Sequence, residues 1–314
     1  VLCASALAAA VSCFFVPPDA GYLGYVDLRT IALLYCLMVA VSGFRKAGLF
    51  DAAAVWLCLR AKSVRGLGLM LTVLCFFSSM LITNDVALLT FVPFTAIVLA
   101  QCGESGALTF TVVLETLAAN LGSMLTPVGN PQNLYLYSRY QMPLGQFLGC
   151  TAPVCALGLG CLLLLCLLLP KRTVSYAHGG PVLRPERRPL ILSAALFALS
   201  LLVVLRAVEW YVMLPVFVLL LLIFDRRLLA RADFLLLLTF VCFFIFVGNL
   251  GRMDAVRAVL GSAIRGRELF AGAAVSQIIS NVPAAALLSG FAENVYALLL
   301  GVDIGGLGKP VASL

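Results

Sequence analysis

The sequence predicts an all-α, polytopic membrane protein whose chain contains an internal duplication. Composition is the first observation: of 314 residues, 63% are hydrophobic and 11% are charged, whereas soluble domains carry roughly 25% charged residues. The second is a series of long apolar runs, and the third is a pair of matching polar motifs, one in each half of the chain. The alternating pattern of a membrane β-barrel is not seen, so the spans are predicted to be helices.

The apolar runs set the expected number of spans. Crossing the hydrocarbon takes about 20 helical residues, and the runs reach that length once their uncharged flanks are counted. Val1–Val16 is predicted to be a further membrane helix rather than a signal peptide, because Pro17, Pro18 and Asp19 follow it. Its start is expected upstream, since the chain does not begin with Met, and about nine to ten spans are expected in all. The runs are Ile31–Phe44, Leu69–Ile82, Val86–Leu99, Gln146–Pro170, Pro189–Leu205, Trp210–Phe224 and Phe234–Val247.

Charged residues and cysteines narrow the class of protein. The net charge of +7 comes from Lys and Arg in short loops, which is typical of membrane flanks rather than of nucleic-acid binding, although the loops are too similar in charge to predict orientation. The 11 cysteines contain no C-x-x-C pair and the only histidine is His178, so no metal cluster or resident cofactor is predicted. The sequence also lacks an H-E-x-x-H motif or a nucleophile–base set. We predict that the chain is not an enzyme.

The two halves of the chain follow one plan. Residues 171–189 are basic and proline-rich and are predicted to be an extramembrane linker between a first repeat, 1–170, and a second repeat, 190–314. Three segments recur in the same order on both sides of it, which predicts a duplication. A counterpart of the run at 146–170 is absent after the second copy, so we expect a closing helix beyond it. The matched segments are Ala47–Ala53 with Leu250–Val256, Ser79–Asn84 with Ser276–Asn281, and Asn120–Gly129 with Asp303–Ala312.

One polar motif predicts where a long apolar run breaks. Residues 66–103 contain a single charged side chain, Asp85. These 38 residues would measure about 57 Å as one helix, at 1.5 Å per residue, which is nearly twice the ~30 Å hydrocarbon core. The chain is therefore predicted to turn back at 83–85, at the tip of a re-entrant hairpin. The same reasoning predicts a second hairpin tip at 280–283, where Pro283 is expected to break the helix.

Glycine and proline predict a broken helix after each hairpin, at 120–133 and at 303–312. Non-helical backbone at membrane depth is tolerated only where it is buried in protein or lines a cavity. Discontinuous helices at matching places in two halves indicate the binding site of a transporter. The pair Asn84 and Asn281 is therefore predicted to form part of that site rather than to act as packing contacts.

Ionisable residues add expectations about coupling and charge. An intramembrane carboxylate is costly and usually functional, so Asp85 is the candidate carrier of a proton or Na⁺, whereas Glu104 and Glu115 are assigned to the membrane interface. Lys309 either pairs with Asp303 or meets an anion. Up to two carboxylates near the site disfavour a polyanion unless a cation neutralises them. A cation, a neutral acid, and an anion travelling with Na⁺ or H⁺ all remain open.

The segments "ITNDVALLTFVPF", "NLGSMLTPVGNPQNL" and "SQIISNVPAAALL" resemble the ion transporter superfamily, in its arsenite permease and citrate transporter branch, with a more distant similarity to divalent-anion/sodium symporters. The resemblance covers essentially the whole chain. It implies inverted-topology repeats, a homodimer and elevator-like alternating access. In the related dicarboxylate transporters, S-N-T tips bind sodium and the substrate carboxylate. The matching positions here are 83–85 and 280–282, and the third is Asp85 or Val282 in place of Thr.

These observations predict a secondary active transporter for a small anion or arsenite-like oxyacid, coupled to H⁺ or Na⁺, in the bilayer of a bacterial cytoplasmic membrane. A Na⁺/H⁺ antiporter of the same superfamily is the alternative, and an ion channel a more distant one. A Na⁺ is expected at Thr83, Asn84, Asn130, Ser280 and Asn281. The predicted binding residues are Thr83, Asn84, Asp85, Asn120, Gly122, Ser123, Thr126, Pro127, Gly129, Asn130, Asn133, Ser276, Ser280, Asn281, Val282, Pro283, Asp303, Gly305, Gly306 and Lys309.

Overall fold

A computed structural model describes residues 2–173 and 184–307. Within these ranges the chain forms α-helices joined by short loops and 3₁₀ turns, with no β-strand. The predicted all-α, polytopic fold class is confirmed, while inversion of the repeats stays a prediction. The helices are α1 (Leu2–Phe15), α2 (Leu28–Lys46), α3 (Leu49–Cys58), α4 (Val64–Ile82), α5 (Asn84–Gln101), α6 (Leu108–Met124), α7 (Pro131–Arg139), α8 (Leu144–Cys166), α9 (Arg187–Val204), α10 (Trp210–Phe224), α11 (Phe234–Gly251), α12 (Asp254–Ile264), α13 (Glu268–Ile279), α14 (Asn281–Ser289) and α15 (Val295–Gly305).

Seven helical segments within the described residues are long and apolar enough to cross a membrane. They have 18 to 23 residues, or about 27 to 35 Å at 1.5 Å per residue, which matches a hydrocarbon core of about 30 Å. They comprise α2, α4, α5, α8, α9, α11 and the segment Ser105–Met124, which contains α6. Four shorter apolar helices, α1, α10, α13 and α15, accompany them.

The predicted extramembrane linker at 171–189, which stays a prediction, overlaps the start of a helix. Helix α9 begins at Arg187, so the last three residues assigned to the linker are helical. The backbone N–H of Glu186 donates to the carbonyl of Ala47 at 2.9 Å, and that of Val64 donates to the carbonyl of Arg172 at 3.0 Å. Residues 174–183, which include His178, lie outside the described residues.

The chain divides into two compact units, each assembled from separate stretches. The Asn84 unit consists of Val39–Asn130 and Leu148–Leu199, and the Asn281 unit of Val1–Met38, Pro131–Phe147 and Ser200–Leu314. In the Asn84 unit, α4, α5 and α6 pack against one another, with α3 beside α4 and α5. These units do not coincide with the two predicted repeats, whose boundaries stay a prediction.

In the Asn281 unit, α13 packs along α15, and α14 contacts α13, α15, α7 and α11. Glycines permit a close approach of α13 and α15: a methyl group added to Gly301 would collide with the carbonyl oxygen of Leu269. Helix α15 begins at an N-cap, because the side chain of Asn294 accepts a hydrogen bond from the backbone N–H of Ala297 at 3.0 Å. The backbone contact between α13 and α15 holds the second predicted tip beside the C-terminal end of α15.

The substitution Gly301→Ala tests this packing. We expect it to destabilise the protein by roughly 1 to 3 kcal/mol, because the added methyl group overpacks the contact. Gly261→Ala is the matched control, since Gly261 also lies within a helix but its added methyl would meet nothing within 4 Å. At position 261 the better helix propensity of Ala is expected to stabilise the protein by up to about 1 kcal/mol. Thermal unfolding in detergent measures both, and an unchanged midpoint for Gly301→Ala would contradict the packing.

Candidate functional site

The first predicted tip lies at Thr83, the single residue between α4 and α5. Its backbone has φ 68° and ψ 153°, a region that glycine occupies readily and that costs other residues about 1 to 3 kcal/mol. The carbonyl of Thr83 accepts a hydrogen bond from the N–H of Ala87 at 3.1 Å, so the next helix starts at once. The long apolar run is therefore interrupted within one residue.

The second predicted tip, Ser280 between α13 and α14, has the same backbone conformation, with φ 80° and ψ 158°. Its carbonyl accepts from the N–H of Ala284 at 3.1 Å. Asn84 and Asn281 consequently occupy the first position of α5 and of α14, and each is only 5% exposed. Two non-glycine residues in this rare conformation, at matching positions of two motifs, support the predicted internal repeat.

Side chains of the Asn84 unit satisfy the polar groups that the first break leaves. The Nδ2 of Asn84 donates to Oδ1 of Asn120 at 3.0 Å, which joins the first turn of α5 to α6. The hydroxyl of Thr126 donates to the carbonyl of Met80 at 2.5 Å. That carbonyl belongs to the last turn of α4, where the chain has no continuing helix to provide a donor.

Helix α6 ends at Met124 and α7 begins at Pro131, so residues 125–130 interrupt the helix inside the predicted broken segment. Pro127 to Asn130 are buried. The Nδ2 of Asn130 lies 3.3 Å from the hydroxyl of Ser123, and a methyl group on Gly129 would collide with the carbonyl of Ser123. This short loop is thus folded tightly onto the end of α6.

Two glycines make the same contact in the two units. A methyl group on Gly122 in α6 would collide with the hydroxyl of Ser79 in α4, and one on Gly305 in α15 would collide with the hydroxyl of Ser276 in α13. Each serine donates to the carbonyl three residues earlier at 2.9 Å. In the Asn281 unit, Nε2 of Gln277 also donates to the carbonyl of Gly305.

Polar groups of α7, α14 and α15 meet in the Asn281 unit. The Nε2 of Gln132 donates to Oδ1 of Asp303 at 3.3 Å, and Asp303 is 2% exposed. The side-chain amide of Asn281 lies where a methyl group on Gly306 would be. Across residues 2–173 and 184–307, the buried Oδ1 of Asn281 has no hydrogen-bond partner, so it is an acceptor that a bound donor or cation would satisfy.

The predicted site residues fall into two groups, one per unit. Thr83, Asn84 and Asn130 of the predicted Na⁺ set lie in one unit, and Ser280 and Asn281 in the other. The Asn84 unit holds Thr83, Asn84, Asp85, Asn120, Gly122, Ser123, Thr126, Pro127, Gly129 and Asn130, and the Asn281 unit holds Asn133, Ser276, Ser280, Asn281, Val282, Pro283, Asp303, Gly305 and Gly306.

The structure describes three residues for which the sequence made individual predictions: Asp85, Val282 and Pro283. Asp85 lies in the first turn of α5 and is exposed, and Val282 is half-buried. Pro283 does not break its helix: the break is at Ser280, and Pro283 is the third residue of α14. Proline fits there because N–H groups of a first helical turn have no acceptor within the helix. Lys309 and the rest of 308–312 lie outside the described residues.

The assignment of Glu115 to the membrane interface was wrong. Glu115 lies in the middle of α6, is 0% exposed, and accepts a hydrogen bond at its Oε1 from the hydroxyl of Thr95 in α5 at 2.5 Å. Its Oε2 is buried without a hydrogen-bond partner among the residues that the structure describes. The sequence did contain a signal of this burial. Glu115 lies seven residues inside an apolar helix, and ionisable residues at such positions are usually functional.

Comparison with known proteins places the chain in a family. The pattern of the CitMHS citrate transporter family matches residues 1–308. The chain belongs to this family. Among its relatives is the inner membrane protein YbiR of Escherichia coli, 32% identical over 313 residues, or 96% of this chain and 82% of YbiR. The uncharacterized transporter MJ0456 of Methanocaldococcus jannaschii is 32% identical over 92% of this chain and 79% of its own length.

A shorter match joins this member of the citrate transporter family to a plant protein. The silicon efflux transporter LSI3 of rice is 33% identical over 144 residues, which is 45% of this chain and 29% of LSI3. Family and relatives confirm the predicted resemblance and the expectation that the chain is not an enzyme. With seven long apolar helical segments among its described residues, it is a multi-pass integral membrane transporter.

The strained backbone of Thr83 predicts that substitution by glycine stabilises the protein at this position. Thr83→Gly is expected to raise the free energy of unfolding by about 1 kcal/mol, because relief of the backbone strain exceeds the extra chain entropy that glycine loses. Thr90→Gly is the control: Thr90 lies within α5 and its hydroxyl bonds only the carbonyl of Val86 in the same helix. Glycine there costs about 1 kcal/mol. Thermal unfolding of both variants checks the opposite signs, and destabilisation by Thr83→Gly would show that Thr83 is not strained.

Proposed function

We propose that this chain is a secondary active transporter that moves a small anion or an arsenite-like oxyacid, coupled to H⁺ or Na⁺, by elevator-like alternating access. The observation that supports it best is the pair of tips, each with a hydroxyl residue in a glycine-like conformation followed by a buried asparagine. Broken helices with polar tips in both halves of a chain are typical of transporter binding sites. A homodimer in the bacterial inner membrane belongs to the same proposal.

The tips offer groups for an anion and for a cation. Helices α5 and α14 begin at Asn84 and Asn281, and N–H groups in the first turn of a helix favour negative charge. The Oδ1 of Asn281, which has no hydrogen-bond partner in residues 2–173 and 184–307, and the C-terminal carbonyls of α6 and α15 favour a cation. Each unit therefore presents both kinds of group beside its tip, which suits a solute that travels with a coupling ion.

The relatives narrow the solutes to be tried. The family takes its name from citrate, and one relative is named for silicon efflux. Both solutes, silicon as silicic acid, are small and rich in oxygen, and they fit a site made of amides, hydroxyls and backbone groups. We therefore propose citrate, C4-dicarboxylates, arsenite and silicic acid as the first candidates, with sulfate as a smaller inorganic anion.

Uptake into proteoliposomes tests the proposal. Purified protein is reconstituted, and each labelled solute is offered under an inward gradient of H⁺, Na⁺ or Li⁺, with empty liposomes as control. Saturable uptake that requires one gradient, together with exchange against internal solute, is expected. Non-saturating flux without exchange would indicate a channel, and cation-dependent proton movement without any solute would indicate the Na⁺/H⁺ antiporter.

The substitution Asn281→Ala is expected to reduce transport by about tenfold or more, because one lost buried hydrogen bond to a charged group is worth roughly 1.5 to 3 kcal/mol. Ser262→Ala is the control, since Ser262 is exposed on α12 and its hydroxyl bonds only the carbonyl of Val259. Initial uptake rates of both variants are measured after equal reconstitution. Transport by Asn281→Ala at the rate of the control would remove Asn281 from the site.

The antiporter alternative depends on Asp85, the carboxylate in the first turn of α5. Asp85→Asn is expected to abolish Na⁺-coupled uptake while leaving folding intact, because the amide carries no charge with which to bind the cation. The measurement compares gradient-driven uptake with thermal stability in the same preparation. Unchanged coupling in Asp85→Asn would show that this carboxylate has no part in transport.

A further inference from the structure

A buried carboxyl group on α6 is a feature of the Asn84 unit that the proposed site does not use. Glu115 is 0% exposed, and a single side-chain donor, the hydroxyl of Thr95, reaches its Oε1. Its Oε2 is enclosed with no hydrogen-bond partner in the described ranges. We propose that Glu115 is the proton-binding residue that couples this transporter to H⁺, an inference that rests on the proposed function.

The surroundings of Glu115 favour its neutral, protonated form. An ionised carboxylate taken out of water costs several kcal/mol unless charges or several donors compensate it. The group that faces it from α5 is the Thr95 hydroxyl, and the titratable group that acts on it from α4 is the Cys75 thiol. Helix α6 itself carries no other charged residue. Within the part of the chain that the structure describes, no positive side chain therefore offsets the charge that would form when the proton leaves.

A proton fits this position better than a metal cation does. Hard cations are held by several oxygen ligands. The residues one helical turn from the interacting pair include Phe91 and Leu99 on α5 and Ala118 on α6, all buried and apolar. The hydroxyl of Thr111, one turn earlier on α6, donates a hydrogen bond to the carbonyl of Ala107 at 2.8 Å. A proton needs only the single oxygen atom that Oε2 provides.

The hydrogen bond to Glu115 joins the same two helices, α5 and α6, as the hydrogen bond beside the first tip. Side-chain hydrogen bonds between α5 and α6 include those from Thr95 to Glu115 and from Asn84 to Asn120. Loss of the proton from Glu115 places a charge inside that apolar contact and weakens the packing on which the tip bond depends. The protonation of Glu115 and the conformation of the tip are then linked reciprocally, as coupled transport requires.

Comparison of the two predicted repeats shows that the helix arrangement does not require a carboxyl group here. Glu115 lies five residues before Asn120, and the residue five before the matching Asp303 is Leu298. Leu298 is also 0% exposed, within α15. An apolar side chain thus fills the corresponding place in the second repeat. The energetic cost of burying Glu115 is specific to the first repeat, which is what a dedicated proton site would show.

Infrared spectroscopy tests the proton site without any transport assay. Spectra of the purified protein at neutral pH are expected to contain the C=O band of a protonated carboxyl group that disappears in Glu115→Gln. Glu104→Gln is the matched control, because Glu104 is paired with the guanidinium of Arg172 at 3.3 Å and is not enclosed as Glu115 is. The band should persist in that control. A wild-type minus Glu115→Gln difference spectrum that contains no protonated C=O band overturns the inference, since any band from another buried carboxyl group, such as Asp303, cancels in the difference.

Transport of labelled citrate in proteoliposomes provides the second measurement. Glu115→Gln is expected to lose about tenfold or more of the uptake driven by a proton gradient, in line with the usual range of coupling energies, while citrate exchange at equal pH continues. Uptake by Glu115→Gln that follows the proton gradient as in wild type overturns the inference and leaves the proposed function standing. Absence of citrate flux in wild type counts against citrate as substrate, and the infrared result still decides the proton site.

A second variant keeps the inference testable if Glu115→Gln does not fold. Thr95→Val retains the carboxyl group and removes the hydroxyl that donates to it. The C=O band is expected to remain and to shift in frequency, because its hydrogen bonding has changed. A band at the wild-type frequency in Thr95→Val would show that the protonated group is not Glu115.

Discussion

The structure depends on one constraint: polar groups inside an apolar chain must find their partners within that chain. Each interruption of a helix leaves carbonyl and N–H groups that water cannot satisfy. Side chains placed elsewhere in the sequence fill this need, as when Thr126 bonds the carbonyl of Met80 and Gln277 bonds that of Gly305. The polar residues of both motifs therefore have two roles: they satisfy the backbone groups at the helix interruption, and they are the groups that a bound ligand would contact.

Close approach between helices makes this possible. A hydroxyl or amide side chain reaches across a helix contact only if the backbones come near, and Gly122 and Gly305 remove the side chains that would prevent it. The two asparagines show two outcomes of the same geometry. Asn84 is bonded to Asn120 within its unit, whereas the Oδ1 of Asn281 has no partner in the described part of the chain.

Helix breaks were more predictable from the sequence than side-chain contacts. A run of 38 residues between Gly66 and Gly103 exceeds the bilayer, so its length and its polar triplet together predicted a break, which lies at Thr83. The bond between Thr95 and Glu115 joins residues 20 apart on two helices, and that between Gln132 and Asp303 joins residues 171 apart. Such pairs depend on helix rotation and packing, which a single sequence does not specify.

The two carboxyl groups on these helices illustrate why burial, rather than sequence position, decides a chemical role. Asp85 stands beside the tip, but it is exposed and lies in the first turn of α5, where the helix dipole favours negative charge. The dipole of α5 therefore lowers the cost of its charge in this structure. Glu115 is 0% exposed and pairs with no opposite charge in residues 2–173 and 184–307, so its protonation state affects the energy of the helix contact around it. Only a group whose charge is costly in one conformation and tolerated in another transmits the binding of a proton to the position of a helix.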